Sequence, residues 1–177
     1  MVGTGGTALI SMTLGMGDKK KANEIFSLLT WVCIIGGIVL TALSMVFMRP
    51  VAILLGATGQ MLEDCVTYGM IVQLALTAYI LQYAFQSFCV TAEKPNLSLT
   101  MMVVAGVCNI LLDALFVAVF RWGLVGAAVA TTIAQITGAI IPIVYFICPN
   151  SSLLRLGKCR FDGKALLRTF TNGASEL

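Results

Sequence analysis

The sequence has no histidine among its 177 residues, and only 11% of the residues are charged. The absence of histidine excludes Ser-His and Cys-His nucleophile pairs and every zinc site built on imidazole. The six cysteines include no Cys-x-x-Cys pair, so we expect small buried thiols rather than a disulfide framework or a metal site. No basic stripe accompanies the net charge of +3, so no nucleic-acid partner is indicated.

Hydrophobic residues are abundant instead. They make up 59% of the chain, and the mean hydropathy of +0.97 is typical of a polytopic membrane protein. A membrane-spanning helix needs about 20 apolar residues, and four stretches qualify, at 25–48, 66–90, 97–120 and 124–147. Residues 1–16 are apolar but too short to span, and they are interpreted as the tail of a helix whose beginning is missing.

The carboxyl-terminal part of the chain, residues 148–177, is predicted to be a cytoplasmic loop followed by the approach to another helix. Residues 1–147 would then form one helical membrane unit, without a soluble domain or a linker. We therefore expect the chain to be a piece of a longer membrane protein.

The basic residues are distributed unevenly over the loops. Of the eleven, only Arg49 and Arg121 lie in the second and fourth loops, which leaves nine in the first, third and fifth. Because successive loops alternate sides, the positive-inside rule places loops 17–23, 92–96 and 148–168 in the cytoplasm. The predicted location is the plasma membrane.

One acidic residue, Asp113, lies inside an otherwise uncharged span. It is predicted about 7 Å outward of the midplane, with Asn109 one turn away on the same helix face. Thr131 is predicted at matching depth on the following span. An intramembrane Asp costs ~2.5–3.5 kcal/mol on insertion scales and marks a functional site by default. Because no span contains a Lys or Arg to pair with it, the pattern indicates a cation or proton site.

Small residues recur every four positions along the last predicted span. This pattern lets two helix backbones approach closely, and it predicts tight packing of the last two spans. The four residues are Gly126, Ala130, Ala134 and Gly138.

Three segments resemble a known family. "NILLDALF" followed by "GLVGAAVATTIAQ" is similar to the fifth and sixth helices of multidrug and toxic compound extrusion (MATE) transporters. "GTGGTALISMTLGMGDKKKANEIFS" resembles their second helix and the following turn. The resemblance implies an all-α polytopic membrane protein of twelve helices in two six-helix lobes. This chain would hold helices two to six of the amino-terminal lobe and the start of the seventh.

The resemblance also implies a function. MATE-like proteins are expected to export amphipathic, often cationic compounds in exchange for Na⁺ or H⁺ by alternating access. The family's cation site falls on Asn109, Asp113 and Thr131, with an acidic residue of the missing first helix completing it. The expected partners are small-molecule substrates, the bilayer, that first helix and the second lobe, with no cofactor beyond the coupling ion. Four residues are expected to line the lobe cavity: Tyr79, Gln82, Tyr83 and Gln86.

Other interpretations remain open at this point. The cavity residues and Thr131 are equally typical of ordinary interhelical packing. A lipid-linked precursor flippase has a related helix pattern, but it would need a basic cavity for its anionic headgroup. A non-transporting structural subunit would have no need of Asp113. An enzyme is not expected, because no acid–base or nucleophile pair occurs at related depth.

Overall fold

The computed structural model describes residues 2–148, 152–157 and 163–174, and the ordered elements in these ranges are all helical. The predicted all-α membrane fold is thereby confirmed. A π-helical segment, Ala114–Val119, extends α5 directly. The helices are α1 (Val2–Gly15), α2 (Lys19–Leu54), α3 (Gly59–Gln73), α4 (Leu76–Thr91), α5 (Pro95–Asp113), α6 (Gly123–Ile147) and α7 (Gly163–Ala174).

In the described part of the chain, three helices are long and apolar enough to cross a membrane: α2, α5 with its π-helical extension, and α6. Helix α2 is 36 residues long, so it extends beyond both ends of the apolar stretch predicted at 25–48. It begins at Lys19, where the Asp18 side chain accepts a hydrogen bond from the Lys21 amide at 3.0 Å and caps the helix. At the other end it continues through Pro50 to Leu54, so residues 49–54 are helical rather than part of a long loop.

The stretch predicted as one span at 66–90 is broken in the structure. The helix axis bends by 49° between α3 and α4. At the break, the Leu74 amide donates to the Ile71 carbonyl at 3.2 Å and the Ala75 amide to the Val72 carbonyl at 3.0 Å, a tighter spacing than in an α-helix. Counted as one bent segment, α3 and α4 form the fourth element long and apolar enough to cross the membrane.

A cluster of four phenylalanines holds the helices together near the ends predicted to be cytoplasmic. The Phe26 ring of α2 lies 5.3 Å from the Phe88 ring of α4 and 5.1 Å from the Phe146 ring of α6, measured between centroids. Phe85 stacks on Phe146 at 5.8 Å, and all four side chains are fully buried. Edge-to-face and stacked contacts of this kind favour a fixed arrangement of the three helices.

The segment after α6 is packed against the helices rather than extended away from them. The Arg155 amide donates to the Asn23 side chain at 2.9 Å, and the Gly157 amide donates to the Ser27 hydroxyl at 3.0 Å. Helix α7 then lies on α1 so closely that a Cβ at Gly5 would collide with the backbone carbonyl of Thr169. Helix α7 lies where the end of a cytoplasmic loop and the approach to another helix are predicted, and it packs on the bundle.

Candidate functional site

The site is built where α5 and α6 face each other. The Asn109 side-chain amide of α5 donates to the Thr131 hydroxyl of α6 at 3.5 Å, and both residues are half-buried. The close approach is made possible by Gly126, since a Cβ there would lie only 3.1 Å from the Phe116 backbone. The structure therefore brings together two of the three residues predicted for the cation site.

Asp113 occupies a separate position, one turn outward of Asn109. It is the last α-helical residue of α5, and the π-helical segment begins immediately after it. Its Oδ1 atom is buried and has no hydrogen-bond partner among the described residues. Withdrawing a polar oxygen from water without a hydrogen-bond partner is costly, so this atom is an unsatisfied acceptor of the site.

A cavity of about 260 Å³ lies between α4, α5 and α6, outward of the phenylalanine cluster. Asn109 and Thr131 form part of its wall, whereas Asp113 is not among its lining residues. The rings of Tyr79 and Tyr83 lie against each other with centroids 4.9 Å apart. On its α4 side the wall contains four residues: Tyr79, Gln82, Tyr83 and Gln86. Their role in binding a substrate stays a prediction.

Gln82 is held in a defined position within this wall. Its side chain is only 8% exposed, and its Oε1 atom has no hydrogen-bond partner in the described part of the chain. Its amide lies against Gly138 of α6, where a Cβ would come within 2.8 Å of Oε1. A larger residue at position 138 would displace the amide from this position toward the cavity.

The small-residue stripe of α6 therefore has two partners rather than one. At one end of the stripe, Gly126 packs on Phe116 of the π-helical segment that extends α5. At the other end, Gly138 packs on Gln82 of α4. Ala134, between them, lines the cavity. The predicted close packing of the last two spans describes only the outer part of this arrangement.

Gln135 is a further polar residue of the wall, and it was not among the residues predicted for the site. It lies one turn after Thr131 on α6 and lines the cavity, and its Oε1 atom is buried without a partner among the described residues. The sequence signal for Gln135 is its spacing of four residues from Thr131, which places both side chains on one face of α6. The other lining residues not assigned to the cavity are small or apolar: Met102, Ala105, Gly106 and Ala134.

Comparison with known proteins assigns the family. The sequence model of the MatE family matches residues 1–115, which is more than half of the chain. The chain belongs to the MatE family. The predicted resemblance to MATE transporters is thereby confirmed, and the chain is a multi-pass membrane protein, as predicted.

Curated relatives with similar sequences are multidrug export proteins. MepA of Staphylococcus saprophyticus subsp. saprophyticus is 29% identical over 147 residues, covering 83% of this chain and 33% of the relative. MepA of Staphylococcus haemolyticus is 28% identical over 153 residues, covering 86% of this chain and 34% of the relative. The chain thus spans about a third of the length of the curated relatives it matches.

Solved structures show the same fold. An inward-facing multidrug resistance MATE family transporter of the MOP superfamily superposes with a TM-score of 0.91 at 18% identity, covering 98% of this chain and 40% of that one. An outward-facing conformation of such a transporter gives a TM-score of 0.88 at 18% identity, covering 96% and 38%. The described helices therefore have the arrangement found in part of a MATE transporter.

Proposed function

We propose that the protein to which this chain belongs is a cation-coupled antiporter that exports amphipathic, often cationic compounds. The membership of the MatE family and the multidrug export function of the MepA relatives support an efflux role. The coupling part of the proposal rests on one observation, the buried Oδ1 atom of Asp113 without a hydrogen-bond partner among the described residues.

In the proposed mechanism Asp113 binds Na⁺ or H⁺, and the neighbouring polar side chains contribute neutral oxygens. Because the Asn109 amide nitrogen donates to Thr131, the Asn109 carbonyl oxygen remains available as a cation ligand. The described residues contain no cluster of three or more acidic or thiol side chains that could hold a metal ion. Within this chain the site supplies one carboxylate and neutral oxygens, to which an acidic residue of the first helix would be added, and such oxygen ligands can bind Na⁺ or H⁺.

Cation binding would act on the transport cycle by neutralising this charge. A ligand shifts an equilibrium between two conformations only by its difference in affinity for them, and a buried carboxylate supplies such a difference. The resulting change in packing would alternate the access of the cavity between the two sides of the membrane.

The cavity wall favours amphipathic substrates over anionic lipid headgroups. Its lining residues are amides, tyrosines, one threonine and small or apolar residues, and none is basic. Tyrosine rings attract cationic groups through their π-electrons. A flippase for a lipid-linked anion, the alternative function, would require positive charge, and the described part of this wall contributes none.

The test is Asp113→Asn in the full-length protein, reconstituted in proteoliposomes with a Na⁺ or pH gradient and a fluorescent cationic dye. We expect normal expression and insertion but loss of gradient-driven dye transport, because the variant cannot exchange charge with the coupling ion. The matched control is Asp64→Asn, the same substitution at an exposed residue, which should transport normally. Wild-type, gradient-dependent transport by Asp113→Asn would refute the coupling role.

A further inference from the structure

The break between α3 and α4 occurs where the sequence has neither glycine nor proline, since residues 70–78 contain none. A hydroxyl from another helix is present at the break instead. Thr132 Oγ1 of α6 lies 3.0 Å from the Ile71 carbonyl oxygen, in the last turn of α3, and 2.8 Å from the Ala128 carbonyl of its own helix. Insertion of a side chain into the hydrogen-bond ladder is a recognised cause of a helix kink.

The same turn of α6 also contacts the proposed cation site. Thr131 accepts the hydrogen bond from Asn109, whereas Thr132, the next residue, donates to the Ile71 carbonyl. Consecutive helical residues point about 100° apart, so the two hydroxyls reach two different neighbouring helices. A movement of this turn would therefore displace hydrogen-bonding groups at the cation site and at the break together.

Space for movement exists beside the break. A second cavity of about 310 Å³ is lined by residues from both sides of the break together with three residues that also line the first cavity. The break residues are Val72, Gln73, Ala75 and Leu76, and the shared residues are Tyr79, Thr131 and Gln135. Because this cavity is open on one side, the side chains at the break have space beside them into which they can move.

We propose that the break between α3 and α4 is a hinge coupled to cation binding and that Thr132 is its positioning residue. The inference rests on the proposed function, because the ligand in question is the cation bound at Asp113 and its neighbours. Cation binding near Thr131 fixes this turn of α6, and the Thr132 hydroxyl transmits that constraint to the Ile71 carbonyl. By thermodynamic linkage, loss of the hydroxyl weakens cation binding in return.

The first experiment measures the cation concentration that gives half-maximal efflux, by titrating Na⁺ and pH separately in the reconstituted full-length protein. Thr132→Val, which keeps the shape but removes the hydroxyl, should raise that concentration about threefold, the factor equivalent to ~0.6 kcal/mol for an average interhelical hydrogen bond in a membrane. Thr132→Ser should restore it. An unchanged value for Thr132→Val would overturn the proposal.

The control for this series is Thr137→Val. Thr137 lies on the same helix, but its hydroxyl donates only to the Ile133 carbonyl one turn earlier, at 2.8 Å. The chemical change is the same and no interhelical hydrogen bond is lost, so the half-maximal cation concentration should not move. An equal shift in Thr132→Val and Thr137→Val would mean that the effect belongs to α6 itself and would overturn the positioning role.

The second experiment observes the hinge without transport. Spin labels at Met61→Cys and Val90→Cys, two exposed positions on opposite sides of the break, report its angle as a distance in the full-length protein. Cation addition should change the distance distribution in the wild-type background and leave it unchanged with Thr132→Val. A wild-type distance distribution that does not change on cation addition refutes the hinge. Gradient-dependent transport by Asp113→Asn refutes the proposed function instead, so the two failures are distinguishable.

Discussion

The contact between Gly138 and Gln82 makes a quantitative prediction for Gly138→Ala. The new Cβ would lie 2.8 Å from the Gln82 Cδ and Oε1 atoms, about 0.6 Å short of the 3.4 Å at which ordinary contact begins. Gln82 is buried, so its amide has little room to retreat except toward the cavity. Overpacking of this kind typically costs about 1–3 kcal/mol.

The substitution also changes helix propensity, and a control is needed to remove that contribution. Replacing a helical glycine by alanine favours the helix by up to about 1 kcal/mol. Gly36→Ala in α2 has the same effect on propensity but meets no atom within 4 Å. We therefore expect Gly138→Ala to be less stable than Gly36→Ala by about 1–3 kcal/mol, measured by SDS titration of the full-length protein.

A double substitution tests whether the Gln82 amide causes the loss of stability in Gly138→Ala. If the Gln82 amide is the group that clashes, Gln82→Ala should make room for the new methyl group, and Gly138→Ala should then cost less in the Gln82→Ala background. Directly contacting residues show coupling energies of about 0.5–3 kcal/mol in such cycles. Strict additivity, or equal stability of Gly138→Ala and the Gly36→Ala control, would refute the placement of Gln82 against α6.

Two further predictions concern topology and the position of α7. Cys65 and Cys148 are both exposed. In single-cysteine variants, an impermeant thiol reagent applied to intact cells should modify Cys65 alone. Labelling of Cys148 would contradict the predicted orientation. Gly5→Ala should speed hydrogen exchange in α7, because its Cβ would meet the Thr169 carbonyl, whereas Gly15→Ala, with no atom within 4 Å, should not. Equal exchange in both variants would argue against close packing of α7 on α1.

Most of the segments long and apolar enough to cross the membrane could be predicted from the sequence, whereas the orientation of the chain in the membrane stays a prediction. Hydropathy and loop charge are properties of short segments, and the bilayer acts on each segment nearly independently of its neighbours. The same locality made Asp113 recognisable, since a single carboxylate in an apolar run is conspicuous without a structure. The helix ends were less predictable, because α2 continues past Arg49 and Pro50, where hydropathy falls although the helix does not stop.

The sequence also predicted part of the candidate site. Asn109 and Thr131 meet as expected because a short turn forces α5 and α6 to be neighbours. The four predicted cavity residues follow a helical spacing along one face of α4, so their common location is again a local property. The place of Gln135 in the wall could not be predicted from its spacing to Thr131 alone, because it depends on how α6 is rotated against α4 and α5.

Other features were decided only by the tertiary structure. The break between α3 and α4 has no sequence signal, and a hydroxyl 61 positions away in the chain is present at it. Similarly, whether the buried Oδ1 atom of Asp113 has a hydrogen-bond partner depends on every helix packed around it. Composition and periodicity determine which segments enter the membrane and which faces are polar. Where those faces meet depends on interhelical contacts, since lipid is as apolar as the helices and does not direct their pairing.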